Sequence, residues 1–284
     1  MEESIHQSED NRFIPMTSIA AGTGHELLPD LYYYTNQIVN VIFVGSVENY
    51  EWVLIDAGMP HSGSKIMNEA ARRFPLNPKP LAIILTHGHF DHVGGIVKLI
   101  KEWNVPVYAH PLEFPFLTGK KDYPEPDTTV EGGLLAKISS IYPHQSIDIE
   151  THLLPLPANG IVPGMPGWTW LATPGHSPGH VSFFREKDRS LIAGDAFITV
   201  RADSFYKVLT QKKEINGPPR YLTTDWEAAC TSVKKIEALQ PRIAITGHGP
   251  AMHGEELQKG LKKLAEEFET LAVPTHGKFV GDNK

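Results

Sequence analysis

The chain has 284 residues, 14 His against a single Cys, and a formal net charge of −7. That length is ample for a real core, and one Cys excludes both an intramolecular disulfide framework and a Cys-based zinc ribbon. The acidic balance, with no Lys/Arg cluster, disfavours a nucleic-acid partner.

No apolar run approaches the ~18–20 residues that a membrane span needs. The start, MEESIHQSEDNRF, lacks the basic and apolar regions of a signal peptide. A cytoplasmic protein without a membrane partner is therefore expected. Residues 1–17 read as a flexible polar arm, followed by a single domain over 18–284. Leu31 to Gly45 is rich in β-branched and aromatic residues and reads as one or two strands, and Glu51 to Ile55 as another. A helix is predicted over about Ser64 to Phe74, a short apolar strand over Leu81 to Leu85, a helix over Gly95 to Trp103 and a strand over Val105 to Ala109. This alternation indicates an α/β protein.

The middle of the chain, His110 to Gly167, is dense in turn residues, with a helix expected near Gly132 to Ser140. Strands resume at Thr169 to Ala172, Val181 to Phe184 and Ser190 to Ala193. Val200 to Thr223 reads as irregular and holds aromatics. A helix over Asp225 to Leu239, with Thr224 as its N-cap, precedes a strand at Ile243 to Thr246 and an amphipathic helix over Gly254 to Leu271.

The chemistry concentrates at strand ends. After the apolar strand Leu81 to Leu85 comes Thr86-His87-Gly88-His89-Phe90-Asp91-His92-Val93-Gly94-Gly95. His87 and His89 can turn to one metal ion, and Asp91 and His92 to a second. Imidazole and carboxylate at this density suit Zn²⁺ or another first-row ion. Gly88, Gly94 and Gly95 allow the crowded backbone. Three further strands each deliver one matching group: His176 in TPGH, Asp195 in AGD and His248 in TGHG. Sheet-based active sites commonly lie at such C-terminal strand ends.

In that order, IDAG, THGHFDHVGG, TPGHSPGHV, AGDA and TGHG resemble the metallo-β-lactamase-fold hydrolases. The resemblance implies a four-layer αββα sandwich of two mixed sheets flanked by helices. It also implies two divalent ions, with Zn²⁺ expected and Mn or Fe as alternatives. His87, His89 and His176 would hold one ion, Asp91, His92 and His248 the other, and Asp195 would bridge them with a water or hydroxide. That hydroxide would attack a carbonyl carbon, with Asp91 and Asp195 as the catalytic carboxylates. Asp56 would orient a ligand from behind. His180, His110 and Cys230 read as structural.

Within the family, His89 stands where the redox di-iron branch has Glu, and no Cys occupies a ligand motif as in zinc β-lactamases. The stretch after His248 holds about one helix, without the helical domain of glyoxalase II. The lactonase and esterase-like branch fits best, with N-acyl-homoserine lactonases carrying the same pattern. Those lactonases often place a Tyr three residues after the bridging Asp, where this chain has Ile198; Tyr206 or Tyr221 would have to substitute. The expected activity is hydrolysis of a small lactone or ester. Thioester or β-lactam hydrolysis is the alternative, and a non-catalytic metal-binding regulator is the reading from another class. Phe90, Tyr123, Phe205, Tyr206 and Tyr221 are the candidate pocket walls, suited to a neutral, partly hydrophobic small molecule. Exposed apolar residues in the long loops would allow a homodimer.

Overall fold

The aromatic run beginning at Leu31 forms a tight antiparallel pair, β2 (Leu31–Asn36) and β3 (Val39–Val44), in which every residue is buried. Gln37 makes the turn in the left-handed region, at φ 59°. Its side-chain amide donates to the carbonyls of Ile14 and Met16, at 2.7 and 2.6 Å. The computed structural model describes residues 5–48, 51–131, 133–200, 209, 211 and 213–281. Over those residues the expected flexible arm is tied down. His6 pairs with Asp148 in an isolated antiparallel bridge, and Ile14 and Met16 are buried.

The chain divides into two compact units, Met1–Tyr123 with Pro143–Pro166, and Pro124–Tyr142 with Gly167–Lys284. The first unit is built on a seven-stranded mixed sheet. Its strands run β1 (Gly24–Leu28), β2, β3, β4 (Val53–Ile55), β5 (Ile83–Ile84), β6 (Val107–Ala109) and β7 (Leu153–Pro155). The first four pair antiparallel, and β4 to β7 pair parallel. β5 is shorter than the five residues predicted. Even so, Leu81 N donates to Trp52 O, and Leu85 N to Tyr108 O. Backbone bonding to both neighbouring strands therefore continues beyond the two paired residues.

Helices α1 (Gly63–Arg73) and α3 (Ile96–Trp103) bury apolar faces led by Ile66, Ala70, Ile96, Leu99 and Ile100. They share a core with Phe43, Trp52 and Phe74, in which the Trp52 and Phe74 rings stack 4.6 Å apart. Asn104 ends α3 in the left-handed region and donates its N–H to Ile100 O.

The second unit holds a five-stranded mixed sheet in the order β14 (Met252–His253), β13 (Ile243–Thr246), β10 (Ser190–Gly194), β9 (Val181–Arg185), β8 (Trp168–Ala172). Only the β10–β13 pair is parallel. A hairpin-like pair, β11 (Ile198–Val200) with β12 (Lys213–Asn216), occupies part of the stretch predicted as irregular. The short helix α5 (Gly133–Ile138) runs into a 3₁₀ turn at Ser139–Ile141. Helix α6 (Trp226–Ala238) is capped by Asp225, whose carboxylate accepts from Ala228 N at 2.9 Å, and not by Thr224. Thr224 instead donates its backbone N–H to Gly175 O. The closing helix is broken: α7 (Gly254–Glu266) stops at Glu267, and a turn, α8 (Phe268–Leu271), buries Phe268 in the core. No helix among the described residues is long and apolar enough to cross a membrane.

Candidate metal centre

In the first unit the ligand loop follows β5, and its middle forms the single turn α2 (Phe90–Val93). His87, His89, Asp91 and His92 are all buried. The His87 ring lies 4.2 Å from that of His92 and 4.7 Å from that of His89. The loop is strapped to the end of β4, since Ala57 N donates to His92 O, Gly94 N to Gly58 O and Gly95 N to Ala57 O. A Cβ on Gly94 would sit 2.2 Å from Pro60 N. Glycine is needed there for the close approach of two backbones, not for a left-handed turn.

Asp56, fully buried, holds this loop from behind. Its Oδ1 accepts Thr86 N at 2.8 Å, and its Oδ2 accepts the Thr86 hydroxyl and His92 Nδ1, both at 2.8 Å. The tautomers follow from this network. His92 donates Nδ1–H to the carboxylate, which leaves Nε2 as its unprotonated, lone-pair-bearing nitrogen. Because the Thr86 hydroxyl has given its proton to Asp56, the 3.0 Å contact with His87 requires His87 Nδ1 to donate as well. His87 therefore also presents Nε2.

Further support comes from two residues beyond β6. Glu113, fully buried, accepts Gly88 N at 2.9 Å and the hydroxyl of Tyr123. Gly88 N also reaches Tyr123 Oη at 3.0 Å. Burial and the Glu113 carboxylate push the Tyr123 phenol well above its ordinary pKa, so it remains a donor. The Tyr123 ring stands 4.4 Å from that of His89 and stacks on Phe116 at 3.9 Å.

In the second unit the candidate ligands come singly from strand ends. His176 follows β8, Asp195 follows β10 and His248 follows β13. Thr223 has donated its hydroxyl proton to Pro219 O, so the 3.1 Å contact with His176 makes His176 Nδ1 the donor and Nε2 the ligand nitrogen. His176 Nε2 and His248 Nε2 lie 3.5 and 3.2 Å from one atom, Asp195 Oδ2. Two ligand atoms at ~2.1 Å from one tetrahedral ion stand about 3.4 Å apart, so these spacings fit shared metal coordination.

His180 lies behind Asp195. Its Nε2 accepts Asp195 N at 2.9 Å, and its Nδ1 contacts Thr173 Oγ1 at 2.9 Å. Ser182 Oγ donates to Ala193 O, which makes Thr173 donate to Ser182 and His180 Nδ1 donate to Thr173. Thr246 donates to His248 O at 2.7 Å and so fixes the TGHG turn. In each unit the clustered imidazoles and carboxylates, with Nε2 presented by His87 and His92 in the first and by His176 in the second, are of the types that suit divalent first-row ions.

The metallo-beta-lactamase superfamily pattern matches residues 34–248. The chain belongs to this superfamily. It is 46% identical over 260 residues to the probable metallo-hydrolase YflN of Bacillus subtilis, covering 91% of this chain and 98% of YflN. It is 26% identical to the N-acyl homoserine lactonase of Bacillus thuringiensis, over 69% of this chain and 76% of the lactonase. Among solved structures, TTHA1623 in a di-iron-bound form aligns with TM-score 0.52 and 27% identity, covering 81% of this chain and 94% of that one. Solved metallo-β-lactamases share the fold too. The metallo-β-lactamase fold predicted from the motifs is thus the fold of the chain.

Of the pocket candidates in this superfamily member, Phe90 is half-buried at the start of α2. Tyr123 is buried, with its hydroxyl on Gly88 and Glu113. Tyr221 is also buried, 5.6 Å from the Tyr142 ring. Phe205 and Tyr206 lie outside the described residues. Ile198, where lactonases often carry Tyr, is buried in β11. Thr86, Glu113, Thr173 and Thr223 escaped the sequence reading as supporting residues. Thr86 and Thr173 open the ligand motifs and were visible there. Glu113 and Thr223 reach their partners only through the fold.

Proposed function

We propose that the chain is a dinuclear metal-dependent hydrolase that opens the carbonyl of a small, neutral lactone or ester. His87, His89 and His176 would hold one divalent ion and Asp91, His92 and His248 the other, with Asp195 shared between them. The observation that carries this reading is that three ligand histidines are each fixed through Nδ1, on Thr86, Asp56 and Thr223, so that all three present Nε2. Such outer anchors are characteristic of metal-binding histidines. Bound divalent ions supply hydroxide near neutral pH and polarise a carbonyl. Asp91, in the N-terminal turn of α2, would carry a proton to the leaving group. Phe90, half-buried at the start of α2, would give a partly hydrophobic substrate an apolar wall. The 26% identity to a lactonase supports a lactone substrate.

Elemental analysis after metal-replete expression should find about two metal ions per chain. About one or none would overturn the dinuclear reading. A screen of lactones, esters, thioesters, phosphoesters and β-lactams, run with and without chelator, should give its highest chelator-sensitive turnover on lactones or esters. Preference for a thioester or β-lactam would replace the substrate assignment, and no turnover on any class would favour a metal-binding regulator.

A further inference from the structure

The run THGHFDHVGG ends at Gly95, yet the backbone between its first two histidines is held by residues further along the chain. Gly88 N points at two acceptors, Glu113 Oε2 at 2.9 Å and Tyr123 Oη at 3.0 Å. Tyr123 in turn donates to the same carboxylate oxygen. Glu113 is 0% exposed. Burying a carboxylate is strongly unfavourable unless donors surround it, and here the donors are a phenol and the amide of the residue separating His87 from His89. The fit is close: a Cβ on Gly88 would lie 2.6 Å from Tyr123 Oη. The Tyr123 ring also packs against the His89 ring at 4.4 Å. His87 already has Thr86 on its Nδ1. The backbone between these two histidines helps decide whether both imidazoles reach one ion.

We infer that Glu113 and Tyr123 are positioning residues for the ion held by His87 and His89, and that Tyr123 acts here as a clamp rather than as a wall of the substrate pocket. This inference rests on the dinuclear reading above. The clamp's hydrogen bonds fall on Gly88, between His87 and His89, while His92 is oriented by Asp56. The two ions should therefore respond differently to its loss.

The test is competition of the metal-loaded full chain against a chelator, with zinc and separately with cobalt, following both stoichiometry and the visible absorption of the cobalt form. Tyr123→Phe removes one acceptor and one donor while keeping the ring. Glu113→Ala removes the carboxylate, and Glu113→Gln keeps an oxygen that can accept from Gly88 N. In Tyr123→Phe and Glu113→Ala we expect one of the two ions to be lost about 10- to 100-fold more readily, with the second retained and the cobalt spectrum altered. Glu113→Gln should recover most of that affinity, because the clamp works through hydrogen bonds to the backbone. Should Glu113→Ala fail to fold, Tyr123→Phe carries the test alone. Wild-type affinity and an unchanged cobalt spectrum in Tyr123→Phe would overturn the inference. So would Glu113→Gln losing the ion as readily as Glu113→Ala, or both ions weakening equally. If the wild-type chain takes up no metal, the dinuclear reading fails and takes this one with it. Normal wild-type loading with unaffected variants sinks the clamp alone.

Discussion

The two units hold their candidate ligands by different means. In the first, four ligands come from six consecutive residues, and one carboxylate, Asp56, serves Thr86 N, the Thr86 hydroxyl and His92 together. In the second, each ligand comes from its own strand end and rests on its own partner: His176 on Thr223, Asp195 on His180 and the His248 turn on Thr246. A shared anchor couples its dependents, whereas separate anchors act one at a time. Damage should therefore spread in the first unit and stay local in the second.

The sharpest way to break this contrast is Asp56→Ala. It leaves two buried donors and one ligand imidazole without their acceptor, each at a cost of about 1–3 kcal/mol. Metal affinity should fall toward 100-fold, and thermal unfolding of the metal-stripped chain should show a lower melting temperature. An Asp56→Ala chain that binds metal like wild type would refute the shared-anchor picture. A smaller effect is expected for His180→Ala. It removes the acceptor of Asp195 N and ends the relay through Thr173 and Ser182, so chelator competition should show a loss of roughly 10-fold, without the wider disturbance of the Asp56 change. Thr223→Val comes last. It deletes the hydrogen bond that His176 Nδ1 donates and the one that Thr223 gives to Pro219 O, each worth about 1 kcal/mol, and should raise the apparent metal dissociation constant only several-fold. Thr223→Ser should restore it. If Thr223→Val were as damaging as Asp56→Ala, the anchors of the second unit would be coupled as well.

The same contrast explains what could be read from the residues. The HxHxDH run is legible because its ligands are neighbours in sequence, and their spacing alone points to metal. His176, Asp195 and His248 are each weak signals, and they gained meaning from their order along the chain. Asp56 was recognised from its place in the IDAG strand end. Glu113 was not, since the HPLE stretch carries no pattern that sets its carboxylate apart from a surface one. Tyr123 was read as a pocket aromatic because composition cannot tell a buried phenol from an exposed one. Boundaries moved where local chemistry competed: Asp225 took the cap expected of Thr224, and the last helix broke at Glu267 so that Phe268 could join the core.

By itself the sequence determined the superfamily, the donor types and the strand-end placement of the ligands. These follow from residue identity and from hydrophobic patterning, both local properties. The tertiary structure alone decided which nitrogen of His87, His92 and His176 is presented. It also decided that a carboxylate and a phenol some 25 and 35 residues further along close on Gly88 N. Hydrogen-bond direction depends on what stands opposite each donor, and the fold brings that partner from a distant part of the chain.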